Sequence, residues 1–159
     1  MNSFKGPRLV LISLAALALA SCDQTENSSP VPEAVGDISV SNPRLILAPV
    51  AGRPAAGYFE ISNHGDSSAI ITGVSIEGAE NAMLHGYDEA DGMIQMAHRS
   101  EIEIPAGSSV ALEPGGLHIM AMVPSPELAP GETTSITLTF ATGDPITLQA
   151  KIRAPGDER

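Results

Sequence analysis

The sequence predicts an all-β domain, a sandwich or Greek-key barrel, and three observations carry that expectation. Short runs of alternating apolar and polar residues recur between clusters of Gly, Pro, Asn and Asp. Thirteen prolines and fifteen glycines supply turns at a density that suits many short strands. Beyond the N-terminal leader, no window carries the 3.6-residue periodicity of an amphipathic helix.

The strands are read in order. Ile38 to Val40 opens the domain, and Gly57 to Ser62 (GYFEIS) precedes the turn cluster Asn63-His64-Gly65-Asp66. Ala69 to Ser75, Ala82 to Tyr87, Ile94 to Ala97, Glu101 to Ile104 and Ser109 to Leu112 follow, with a loop expected over Gly86 to Gly92. After the turn Glu113-Pro114-Gly115-Gly116, Leu117 to Val123 is the next strand. Thr133 to Ala141 and Ile146 to Ile152 alternate most regularly and are joined by Thr142-Gly143-Asp144-Pro145. Residues 37–155 thus form one domain, long enough for a single core.

The ends read differently. Lys5 and Arg8 precede Leu9–Ala20, an apolar run of 12 residues. A membrane-spanning helix needs about 20, so the run has the length of a secretory signal's apolar region. It ends in Leu19-Ala20-Ser21-Cys22, which resembles the lipobox of bacterial lipoproteins. The resemblance implies a signal peptide over residues 1–21, cleavage after Ser21 and acyl chains on Cys22. The protein is then held on a bacterial membrane and faces the periplasm. Residues 22–36 are rich in Ser, Pro and Glu and read as a tether, and 156–159 as a polar tail.

Cys22 is the single cysteine, so the mature chain has no internal disulfide, and an acylated Cys22 leaves no thiolate for a metal. Removing residues 1–21 takes away Lys5 and Arg8 but no acidic residue, moving the formal charge from −11 to −13. Such a balance argues against nucleic acid as a partner and against a basic hold on anionic lipid.

The chemistry concentrates between Met83 and Met122. This stretch holds five of the six methionines and three of the four histidines. Along a strand, residues i and i+2 share a face, so His118 and Met120 present an imidazole and a thioether side by side while Ile119 turns to the core. His85 and Met96 lie on neighbouring elements and complete a set of four if those strands meet. Two imidazoles and two thioethers are neutral and soft: they suit Cu(I) and serve zinc, magnesium or calcium poorly. In an oxidising compartment they also avoid the loss of thiols to disulfides.

The spacing His85-x10-Met96-x21-His118-x-Met120 resembles that of periplasmic copper chaperones of the PCu(A)C type. So do Gly57-Tyr58-Phe59, Asn63, the run Glu103 to Gly107, and Pro114-Gly115-Gly116 ahead of His118. The likeness spans Ile38 to Ile152. It implies a cupredoxin-like barrel and Cu(I) on His85, Met96, His118 and Met120. It also implies delivery of copper to a respiratory oxidase subunit, with a thioredoxin-like copper chaperone as the other expected partner. The tail Ala154 to Arg159 has no His or Met, so the second copper site that some members carry is not expected.

The remaining residues get plainer readings. Met83, Met93 and Met122 read as core or as packing around the site, His64 and His98 as exposed loop residues, Tyr58 as core and Asn63 as a turn residue. Asp88, Glu89 and Asp91 read as a solvated loop beside His85, placed to steer a cation inward.

Other classes compete. A blue-copper carrier needs a thiolate ligand, and Cys22 is committed to the lipobox. No G-x-S-x-G elbow or H-E-x-x-H motif marks an enzyme. Periplasmic copper storage or tolerance fits the same ligands, and a metal-free β-sandwich binding module would share the fold.

Overall fold

The computed structural model describes residues 33–90 and 92–157. Among them the strands are β1 (Glu33–Val35), β2 (Ile38–Ile46), β3 (Ala55–Asn63), β4 (Ala69–Ile76), β5 (Ala79–Ala90), β6 (Met93–His98), β7 (Ile102–Ile104), β8 (Ser109–Leu112), β9 (His118–Pro124), β10 (Thr133–Phe140) and β11 (Ile146–Arg153). The expectation of an all-β domain is met, and the alternating runs fall on strands. The expected signal peptide, Cys22 and the first part of the expected tether lie outside the described residues. Of the stretch read as tether, Glu33–Val35 pairs antiparallel with β2.

One mixed sheet runs β6-β5-β9-β3-β2-β11-β10-β4-β7, with β1 added on β2 and β8 on β3. Every pairing is antiparallel except β2 with β11. The connection Glu77-Gly78 forces the sheet to curl. It joins β4, near one end of the strand order, to β5, near the other, and two residues cannot cross a flat sheet. The sheet stays open between β6 and β7 but folds over on a single core, as the layers of a sandwich do.

The period-2 rule fills that core. Val40 and Leu45 point inward from β2, Phe59 and Ile61 from β3, and Ile136 and Leu138 from β10. Leu84, Ile119 and Ala121 do the same from β5 and β9. Their sequence neighbours His85, His118 and Met120 must then project from the opposite face. Alternation thus decides that the candidate ligands stand outside the core.

Two expectations are corrected by the hairpin of β5 and β6. The loop expected over Gly86 to Gly92 is instead a continuation of strand: β5 extends to Ala90 and β6 begins at Met93. This arm extends past the core, so its residues need no apolar–polar alternation, and Tyr87, Met93 and Ile94 are exposed. Met93 is accordingly a surface residue and not core. Tyr58 is also displaced from the role expected of it: Phe59 takes the core position, and Tyr58 lies half-buried on the other face.

Asn63, expected in the turn, is the last residue of β3, and its side chain holds the turn that follows. Asn63 is buried, its side-chain oxygen accepts from the Gly65 N–H at 3.0 Å, and its amide donates to the carbonyls of Ser67 (2.8 Å) and Ile104 (3.0 Å). The turn after β3 is thereby pinned to β7.

Candidate metal centre

The site is a product of strand register. In the β5–β9 pair His85 is opposite His118 and Met83 opposite Met120. In the β5–β6 pair His98 is opposite His85 and Met96 opposite Tyr87. Directly paired residues share a face. Met83, His85, Tyr87, Met96, His98, His118 and Met120 therefore occupy one face of three adjacent strands.

The imidazoles of His85 and His118 lie with ring centroids 5.8 Å apart, and those of His85 and His98 5.9 Å apart at a near-perpendicular angle. Tyr87 tilts against His118 at 5.6 Å, and Tyr58 at 6.5 Å. Behind Tyr58 the Arg44 guanidinium rests over the phenol ring, 5.2 Å from its centroid, a cation–π contact that backs the aromatic wall.

His118 is buried, and its Nδ1 is 3.0 Å from the Gly116 carbonyl oxygen. A carbonyl only accepts, so Nδ1 carries the proton and Nε2 keeps its lone pair. A metal-ligating histidine is usually oriented by such a partner. The preceding turn supplies the carbonyl. Gly115 has φ +82°, a conformation open to glycine, and Gly116 N–H closes the turn on the Glu113 carbonyl at 3.0 Å.

His85 is half-buried, and both of its ring nitrogens are buried without a hydrogen-bond partner in the structure. Such groups are costly to bury, and a bound cation resolves the cost for one of them. Burial lowers the His85 pKa below the usual histidine value, and the charges of His118 and His98 lower it further. The neutral, metal-ready form is favoured.

Of the four expected ligands, His85 and His118 are brought side by side. Met120, half-buried, follows His118 on the same face and faces Met83. Met96 is 45% exposed on β6, one diagonal step from His85 in the ladder. Among the described residues no group of three or more His, Cys, Asp or Glu is arranged to hold a metal ion, so any closed site depends on the thioethers or on movement.

His98 is a correction: it ends β6 opposite His85 and is not a loop residue. The signal that could have found it is the hairpin register, since an arm turning between Ala90 and Met93 pairs residues 85 and 98. His64 lies elsewhere, its Nε2 2.9 Å from the Ser39 hydroxyl. Asp88 is paired with Arg99, which also donates to the Tyr87 carbonyl at 3.2 Å. Asp91 lies outside the described residues.

This arrangement defines a cupredoxin-like β-domain with a His- and Met-lined face. Among solved structures the fold is similar to the copper-bound PCuAC domain from PmoF2, with TM-score 0.65 and 23% identity over 79% of this chain and 99% of that one. It is also similar to CuI-DR1885 from Deinococcus radiodurans, with TM-score 0.61 and 24% identity over 85% of this chain and 89% of the other. Residues 38–152 match the family described as "Putative lipoprotein LpqE-like", and the chain belongs to that family. "Putative lipoprotein Lxx21020" from Leifsonia xyli subsp. xyli (strain CTCB07) is 36% identical over 89 residues, covering 55% of this chain and 54% of that protein. The match thus spans about half the length of the relative.

Proposed function

We propose that this protein is a lipid-anchored, periplasmic metallochaperone that binds one Cu(I) through His85, Met96, His118 and Met120 and passes it to a respiratory oxidase copper site or to a thioredoxin-like copper chaperone. The observation that carries the reading is the His85–His118 pair. The rings stand 5.8 Å apart, one has its tautomer set by a carbonyl, and the other has buried nitrogens without partners. Met120 follows on the same strand face, and Met96 stands at the open side of the pair.

The donor chemistry favours transport over catalysis. Four neutral ligands leave the ion with its single charge and hold it by soft bonds. Met96, exposed on the outermost strand, is the donor a recipient meets first and can displace first. Membership of a lipoprotein family and the lipobox at Cys22 support the anchor.

Titration of the purified chain against a chromophoric Cu(I) chelator tests the site. The expected stoichiometry is one copper per chain, and His118→Ala and Met120→Ala each weaken binding by roughly tenfold or more. Wild-type affinity in both variants would refute the assignment. Deleting the gene and scoring oxidase activity under copper limitation tests the recipient: activity falls if delivery is the role and is unchanged if the protein only stores copper.

A further inference from the structure

His98 is left over by a two-histidine, two-methionine site, yet it is paired directly with His85. It closes a row of three imidazoles, His98–His85–His118, running straight across β6, β5 and β9. Neighbouring rings in the row are 5.9 Å and 5.8 Å apart. The middle ring has two buried nitrogens without partners.

His98 is exposed at the end of a strand that sends no residue into the core. Its side chain is thus free to reorient toward His85, a rotation that exposed side chains make within nanoseconds. The three rings do not yet converge on one point. Turning the outer ring inward is what convergence requires.

The chemistry separates two oxidation states. Thioethers select Cu(I), whereas Cu(II) favours nitrogen and oxygen donors in a tetragonal array, and imidazole serves both. Two imidazoles and two thioethers hold Cu(II) poorly; three imidazoles with solvent oxygen hold it well. We infer that His98 supplies a third imidazole, so that the same face captures Cu(II) through His85, His98 and His118 as well as Cu(I) through His85, Met96, His118 and Met120. No electron transfer is part of this inference; each ion is taken as it arrives. The inference rests on the proposed roles of His85 and His118 and adds His98 to them.

The test titrates the processed chain with Cu(II) sulfate and, separately, with Cu(I) against its chelator, in wild type, His98→Ala, Met120→Leu and the remote control His64→Ala. The expected result is crossed. His98→Ala loses roughly tenfold or more in Cu(II) affinity and sheds nitrogen hyperfine structure from its electron paramagnetic resonance spectrum, while its Cu(I) affinity stays within about threefold. Met120→Leu does the reverse, and His64→Ala changes neither. Unchanged Cu(II) affinity and spectrum in His98→Ala would overturn the inference, as would a wild type that does not hold Cu(II). Failure of the broader reading shows separately, as a wild type that does not bind Cu(I).

Discussion

At the scale of single residues, His85 is where folding and binding oppose each other. Its pKa is held below the usual value of about 6.5 by burial and then by His118 and His98. A histidine with a depressed folded pKa adds its full stability above the unfolded value. That contribution is lost as pH falls from about 6.5 through the folded pKa, because the unfolded chain takes up the proton first. The metal-free protein is therefore expected to lose urea resistance between neutral pH and the folded pKa of His85. His85→Gln flattens that part of the profile, and equal profiles for both proteins would contradict the assignment. Copper binding weakens over the same range, since a protonated imidazole has no lone pair to offer.

Residue identity along the sequence showed which donors were present. It did not show what readies them. The Gly116 carbonyl that fixes the His118 tautomer is a backbone atom. Its role is written in the Pro114-Gly115 turn and not in any side chain at that position.

At the scale of elements, two close approaches hold β9 and β6 in place. Gly57 pairs with Ile119 across β3 and β9, and a Cβ added there would lie 3.2 Å from the Ile119 Cβ. Gly57→Ala must push β9 aside. We expect a cost of about 1–3 kcal/mol, read as a lower urea midpoint, together with weaker Cu(I) binding because His118 and Met120 move with the strand.

Arg99 acts on the other side of the site. It crosses Gly86, where an added Cβ would come within 2.8 Å of its Nε, and ties Tyr87 and Asp88 to the end of β6. Both partners of this ion pair are partly solvated, so its worth to global stability is at most about 1 kcal/mol. Arg99→Ala should leave the unfolding midpoint nearly unchanged while Cu(I) affinity drops, because the strand bearing Met96 loses its clamp. A large loss of stability with unaltered affinity would show that the clamp serves the fold and not the site.

The β5–β6 arm also explains what was hardest to read from the sequence. Strands that line the core declare themselves by alternation: Thr133–Phe140 and Ile146–Arg153 match the expected runs to within a residue. The arm has no core to face, so Tyr87 to Ala90 carry no period and resemble a loop. His98 was misplaced for the same reason, since its position follows from the arm's register.

At the scale of the whole molecule, the fold was legible because turn residues and apolar alternation agree along the chain. Convergence of the site was legible only as a condition, that three strands meet. The structure sets β6, β5 and β9 next to one another at one end of the sheet and so places the four candidate ligands on one face. The opposite faces of β5 and β9 contribute Leu84, Ile119 and Ala121 to the core. The same alternation that builds the core therefore sets the candidate ligands on the opposite face of these strands, with His118 buried and Met96 exposed.

The proposed lipid anchor adds a further expectation at this scale. Wild-type protein should partition with the membrane fraction, and Cys22→Ser should appear in the soluble fraction with unaltered Cu(I) affinity. Equal partitioning of the two would count against the lipid anchor.

The most direct measurement of the central claim is copper K-edge X-ray absorption on the Cu(I)-loaded protein. The account predicts one ion surrounded by both nitrogen and sulfur scatterers in equal number, with the sulfur contribution halved in Met120→Leu. A copper environment without sulfur, or one that Met120→Leu leaves unaltered, would contradict it.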